Sequence, residues 1–549
     1  MSNGNASPLR ECVILGATGL TKGVFREYQL NTNLPTHTRE YDFGILDSSC
    51  REPNSGSATR ETVIVYHTFP PTPISLGNQF IRDRPESVKV YGRGSLISET
   101  DYLYDEYSAY PLVPVTPAPF AHDAENFSST STAPRGNATT IINKCFSVLG
   151  TCADSVTHFF YDETGQVVKT IDGNNNSPTF YSYSDVFSAD SGIPQGNTNT
   201  YLTKITRPTT NNVSHITQYM YGYNDGKVRS ATDENNQITR FCYYTGGCAG
   251  STLDPWLRLT ETLYPDGGGS RQVYVDGGPS PSVTSSTVAA PNPTIQTNVV
   301  MDQVGRTVQT QLLSDPAGTV LTDTVYDGFG RVYSTTNPYR SQSDPTYGTT
   351  TFAYDSMGRP RKQTYPDQKF VTWDYLGNVT TSTDEMTRIT SRVTDGLGRL
   401  TTVTEPGGLL TSYTYDALNN LLTVQQQGRQ TGLPLGASPD APRRRTFTYD
   451  SLSRLRCSSN PENSTHDCPL TAATSIPSGV TSYTYDPNGN LSSKIDSRGV
   501  LTQYAYDAIN RLIRKTFTTI GTSAEKTKLR AISMTRPHPV QRWVTLWDA

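Results

Sequence analysis

Residues 394–421 read TDGLGRLTTVTEPGGLLTSYTYDALNNL, and three local features of that stretch decide the fold. Two short runs rich in Thr, Leu, Val and Tyr have the composition of strands, and the alternation of Tyr413 with Tyr415 puts both rings on one strand face. Asp395 and Asp416 each open a turn, because a carboxylate there can accept a backbone N–H two residues on. Three residues after each Asp stand Gly398 and Asn419, types that tolerate the left-handed backbone of a hairpin loop ending in a bulge. The return strand from Leu400 runs to Pro406, and proline cannot continue a central ladder. The stretch therefore reads strand, tight turn, strand.

The same unit recurs along the chain. It appears as YDETGQV (Tyr161, Asp162), MDQVGRT (from Met301), YDGFGRV (Tyr326, Asp327), YDSMGRP (Tyr354, Asp355) and WDYLGNV (Trp373, Asp374). After TDGLGRL (Thr394, Asp395) and YDALNNL (Tyr415, Asp416) come YDSLSRL (Tyr449, Asp450), YDPNGNL (Tyr485, Asp486) and YDAINRL (Tyr506, Asp507). Asp355, Asp374, Asp395 and Asp416 are spaced by 19, 21 and 21 residues, while wider gaps hold inserts such as QQQGRQTGLPLGASPDAPRRR, residues 425–445. Gly305, Gly330, Gly358, Gly377, Gly398 and Gly489 hold the turn position, with Asn419 and Asn510 in two units; Ser453 there predicts a strained or differently built turn. Mid-turn apolar residues (Phe329, Met357, Leu376, Leu397, Leu418, Leu452, Ile509) are expected to fold back and seal the hairpin ends. Arginine recurs four after Asp at 306, 331, 359, 399, 454 and 511, so an Asp–Arg pair across each turn is expected, worth about 0–1 kcal/mol where exposed. One such hairpin is marginal alone, so stability should come from neighbouring hairpins burying an aromatic face. The fold class is all-β: tandem hairpins forming a continuous sheet.

Composition agrees. Of 549 residues 17% are charged and 10% aromatic, with 33 Tyr, 43 Gly and 36 Pro. That aromatic content and a net charge of −4 argue against disorder and against a nucleic-acid partner. No apolar run reaches the roughly 18 residues of a membrane-spanning helix, and the first residues do not read as a secretory signal. Six of the eight Cys form close pairs, Cys145/Cys152, Cys242/Cys248 and Cys457/Cys468, with Cys12 and Cys50 apart. Short-loop disulfides of an oxidising compartment fit this spacing, and so do buried free thiols.

Tyr-Asp-x-x-Gly-Arg-Leu units at this period resemble the YD repeats of the Rhs family, whose members include bacterial Rhs proteins, the C component of Tc toxins and the teneurin shell. The resemblance covers about residues 151–517; 1–150 read as a degenerate β-rich repeat region, with weaker copies at Tyr41, Val90 and Tyr102, and 518–549 as an atypical tail. The resemblance implies a strip of hairpins that spirals into a shell. Such a shell encloses a polypeptide cargo or carboxy-terminal effector domain, or serves as a cell-surface scaffold, so export or a surface location is expected. The Asp-Pro-x-Gly-Leu segment that closes bacterial shells is missing from this sequence, which suggests a truncated or incomplete shell.

Other motifs yield little. The run Val13-Ile-Leu-Gly16-Ala-Thr-Gly19 mimics a dinucleotide turn, but no helical period follows it. One Asp per turn beside Arg does not converge the six to eight oxygens of a calcium site. The seven His (His37, His67, His122, His158, His215, His466, His538) are scattered, which suits surface or incidental roles. Trp256, Trp373, Trp543 and Trp547 occupy no common repeat position, so no regular sugar-stacking platform is visible. The sequence therefore points to a non-enzymatic scaffold without cofactor or metal; an adhesive protein binding surface glycans is the alternative.

Overall fold

The structure is a computed structural model describing residues 9–519 and 530–533, apart from 17, 31, 53–57, 71–80, 190, 191, 193, 289–293, 428–441 and 472–476. The insert at 428–441, His538, Trp543 and Trp547 thus lie outside the described residues. Among the described residues, thirty-six strands, from Arg10–Ile14 to Arg530–Ser533, form one sheet in which each strand pairs antiparallel with the next in sequence. The dinucleotide-like run is part of this pattern: Arg10–Ile14 and Thr21–Tyr28 are hairpin strands, with no helix between them.

Strict alternation sends successive turns to opposite edges of the strip. One edge, here the Asp-turn edge, carries the turns at Asp302, Asp327, Asp355, Asp395, Asp416, Asp450, Asp486 and Asp507. The other, the loop edge, carries the connections 337–348, 427–442 and 460–480 along with tight returns at 365–369, 384–388, 405–409 and 496–499. From Asp302 onward every long insert therefore falls on the loop edge. Nearly all the Asp turns share one construction. In the Asp327 turn, Gly330 donates its N–H to the Asp327 carbonyl at 2.9 Å and Asp327 donates to the Arg331 carbonyl at 2.8 Å, with a register shift between Val332 and Ser334. This is a type I turn closed by a left-handed residue and a bulge. Asn419, Asn510 and Ser453 adopt the same left-handed backbone (φ 67°, 62° and 58°), so Ser453 sits in a turn of the common type rather than a different one.

The sheet is one layer thick. Most of the described strand residues are only half-buried, and the fully buried hydrophobic residues among them are few. The expected burial of a continuous aromatic face is thus partial, since each side chain is covered sideways by neighbouring strands and not by a second layer. The buried apolar clusters are small. One joins Tyr41, Leu46, Cys50 and Ala58; another joins Leu149, Cys457, Cys468 and Val480. All eight cysteines are paired, as Cys12–Cys50, Cys145–Cys152, Cys242–Cys248 and Cys457–Cys468.

The strip also winds onto itself. The Asp-turn edge of residues 377–511 seats against the loop edge of residues 15–210 at successive points in matching order. A Cβ on Gly377 would meet Leu15 at 3.1 Å, and one on Gly92 would meet Ala417 at 2.9 Å. Lys22 donates to the Gly396 carbonyl at 2.9 Å. Further along, Ser451 meets Lys144 and Phe146, Asn488 meets Asp172, and Arg511 meets Thr210. The first point joins residues 362 apart (377 − 15) and the last 301 apart (511 − 210). One revolution therefore closes within that length of chain.

Gly358 has φ 82° with open space around its Cα. Gly358→Ala should therefore cost about 1–2 kcal/mol from backbone strain alone, read as a lower denaturant midpoint. Asn419→Gly should change stability by only a few tenths.

Candidate functional site

Two features recur with chemical regularity: the Asp clamp within each turn and the seam between successive turns of the strip. In the clamp, one carboxylate oxygen accepts two backbone N–H groups and the other accepts the arginine. Asp327 Oδ1 accepts from Phe329 and Arg331, each at 2.9 Å, and Oδ2 accepts from Arg331 Nε at 2.8 Å. Asp302, Asp355, Asp395, Asp450 and Asp507 do the same with Arg306, Arg359, Arg399, Arg454 and Arg511. Where arginine is missing, a side-chain amide replaces it: Asn420 Nδ2 donates to Asp416 and Asn490 Nδ2 to Asp486. Asn199 serves Asp162 likewise, at 2.8 Å. The clamp also occurs on the loop edge, at Asp384–Arg388, where the Asp-to-Arg spacing is present without the preceding tyrosine.

The arginine then reaches the next hairpin. Arg306 lies 4.6 Å from the Tyr326 ring centre, Arg331 4.6 Å from Tyr354, Arg399 5.1 Å from Tyr415 and Arg454 5.2 Å from Tyr485. Arg399 Nη1 also donates to the Asp416 carbonyl at 2.7 Å. Each of these tyrosines in turn donates its hydroxyl back to the first residue of the preceding return strand. The pairs are Tyr326 to Thr307, Tyr354 to Val332, Tyr415 to Leu400, Tyr485 to Leu455 and Tyr506 to Leu491, at 2.7–3.0 Å. Tyr161 donates to Ala138 in the same way. Burial pushes the Tyr161, Tyr415, Tyr485 and Tyr506 hydroxyls up, which keeps them protonated as donors. Asp, Arg and Tyr thus form a relay from one hairpin to the next.

The fifth unit is built differently. Tyr375, two residues after Trp373, takes the relay position: its hydroxyl donates to Pro360 at 2.9 Å and Arg359 lies 4.1 Å from its ring. Asp374 stays within the strand and pairs with exposed Arg361, while Gly377 and Asn378 make a two-residue turn without a bulge.

At the seam the turns become interlocked. Ser451 exchanges hydrogen bonds with Phe146 and donates to the Lys144 carbonyl, and buried Arg456 donates to the Leu149 carbonyl at 3.0 Å. Leu149, inside the Cys145–Cys152 loop, packs on the Cys457–Cys468 disulfide. Asn174 donates to Asp486 and Asn488 to Asp172. The expectation of incidental histidines needs one correction. His215 is buried, with Nδ1 2.6 Å from Glu234 and Nε2 2.7 Å from Thr210, whose hydroxyl also accepts from Arg511 across the seam. Elsewhere on the seam, between the turns at Asp450 and Asp486, lies a depression of about 450 Å³ lined by Ser98, Thr100 and Ser453 together with Leu418, Leu452 and Pro487. Its arginine, Arg454, is engaged by Asp450 and the Asp486 carbonyl. Among the described residues no helix is long and apolar enough to cross a membrane.

Comparison with known proteins agrees with this architecture. The RHS Repeat family model matches residues 395–431 and 485–519. The crystal structure of TcdB2-TccC3-Cdc42 superposes with a TM-score of 0.60 at 11% identity, covering 93% of this chain and 32% of that one. The TcdB2-TccC3 structure gives 0.60 at 12%, covering 93% and 30%. This chain thus spans about a third of the length of those it resembles. A search of curated protein sequences finds no match.

Tyr415→Phe keeps the ring and removes only the donated bond to Leu400; it should cost about 0.5–1.5 kcal/mol by equilibrium denaturation. Acid should weaken the clamps. The backbone N–H of Arg306 holds the Asp302 carboxyl below its usual range, with the Arg306 guanidinium adding to it against the opposing effect of burial; Arg388 does the same for Asp384. A carboxylate lowered in the folded state stabilises above its unfolded value of 3.8, and that stability is lost as pH falls through the folded value. The melting temperature should be little changed by these groups between about pH 7 and 5 and should drop as the pH falls below about 4.

Proposed function

Taking as premise that the chain carries RHS repeats and has the fold of the TcdB2-TccC3 structures, we propose that it is a non-enzymatic wall segment of an exported Rhs-type shell that encloses a polypeptide cargo. The observation that carries this reading is the seam. A flat array of hairpins would leave both edges in water, whereas here the Asp-turn edge of residues 377–511 lands in order on the loop edge of residues 15–210. A strip that seals edge to edge makes a continuous wall one sheet thick. Four disulfides suit an oxidising compartment, which favours export to the outside or the cell surface. Every clamp side chain described above has a structural partner, so none is left to act on a substrate.

Electron microscopy of the full natural polypeptide tests the proposal. A hollow particle with a wall about one sheet, roughly 10 Å, thick and protease-protected internal density is the expected result. A compact solid particle, or a cargo as protease-sensitive as the free polypeptide, contradicts it.

A further inference from the structure

The residue two after each turn aspartate has two fates. On the seam, Leu397, Leu418, Leu452 and Ile509 are half-buried. Earlier on the same edge, Trp256, Val304, Phe329 and Met357 are 72%, 74%, 88% and 77% exposed. These turns are built alike. Asp254 accepts the backbone N–H groups of Trp256 and Arg258, just as Asp327 does with Phe329 and Arg331. The difference lies in what covers them: the seam turns have a loop edge packed against them, and among the described residues the row from Trp256 to Met357 has none. Scattered exposed apolar side chains are ordinary, but a row at one repeat position is not.

We propose that this row is an interface for a second copy of the chain, whose loop edge over residues 365–409 seats on it as the loop edge of 15–210 seats on residues 377–511. Two features favour this occupant. The row is continuous with an established interface of the same construction, so its natural complement is a loop edge of the same kind. The chain also supplies such an edge, uncovered and of matching chemistry. Met386 on it is 70% exposed, and Lys369 and Arg388 stand beside Asp367 and Asp384, resembling the mixture of Leu15, Lys22 and Asp42 on the covered loop edge. The two surfaces differ, so the contact is head-to-tail: it lengthens the spiral by whole chains instead of closing a two-fold dimer. The inference needs no cargo and stands apart from the proposed enclosure.

Sedimentation equilibrium of the full chain over a wide concentration range tests it. The weight-average mass should rise above 60.3 kDa with concentration and continue past twice that value. Phe329→Glu with Met357→Glu should weaken association by at least about tenfold, since both variants put a charge where an apolar side chain would be buried. These positions are exposed turn tips, so the melting temperature should not move and serves as the folding control. Hydrogen exchange at residues 327–331 and 355–359 should slow at high concentration in the parent only. A constant mass at every concentration overturns the proposal, and so does association that the double variant leaves intact.

Discussion

A sheet one layer thick cannot hide its side chains under a second layer, so its cohesion has to run sideways from strand to strand. Backbone ladders supply part of that, yet every hairpin already has its own ladder and would be marginal alone. What the repeat adds is a relay. The aspartate fixes the turn by accepting two backbone N–H groups and holds the arginine extended. The arginine lies against the tyrosine of the next hairpin, and that tyrosine donates back to the first residue of the preceding return strand. Each group does two jobs, one within its hairpin and one between hairpins. That double duty explains why tyrosine is used where phenylalanine would satisfy the ring contact alone.

The same turns make the larger structure possible. Because the clamp fixes the shape of each tip, the Asp-turn edge from residue 302 onward is nearly uniform along its length, and long inserts are left to the opposite edge. A uniform edge can land repeatedly on another turn of the strip. Where it does so, the exposed pair becomes a buried one: Asp450 is 0% and Arg454 12% exposed, against 30% and 59% for Asp384 and Arg388 on the loop edge. An ion pair of small value at the surface is thereby carried into the seam, where losing one partner would strand the other.

Much of this was legible in the residues. The period, the turn aspartate and the left-handed position three residues on follow from local chemistry, and all eight turns of the Asp-turn edge from Asp302 to Asp507 that keep this spacing show it. The relay was less visible, because the carbonyl that accepts each tyrosine hydroxyl has no side-chain signature. Asn420 and Asn490 stand in for arginine without its charge, so the Asp–Arg spacing does not reveal them. Trp373-Asp374 misled for a simpler reason. The two-residue turn at Gly377-Asn378 shifts the frame, so Tyr375 takes the role and Asp374 does not. The seam was not legible at all, since its partners stand more than 300 residues apart and nothing in local spacing links Ser451 to Phe146 or Arg511 to Thr210. Ser453 adopts the turn that glycine adopts, at a backbone cost its neighbours must offset.

The central claim is that cohesion passes from hairpin to hairpin through the arginine and the tyrosine acting on each other. A double-mutant cycle on Arg399 and Tyr415, using Arg399→Met, Tyr415→Leu and the pair, measures this directly by denaturant unfolding. The account predicts a coupling of about 0.5–2 kcal/mol, the range of a partly desolvated cation on an aromatic face. Additivity within about 0.3 kcal/mol would show that the two residues stabilise their own hairpins separately, and would contradict it.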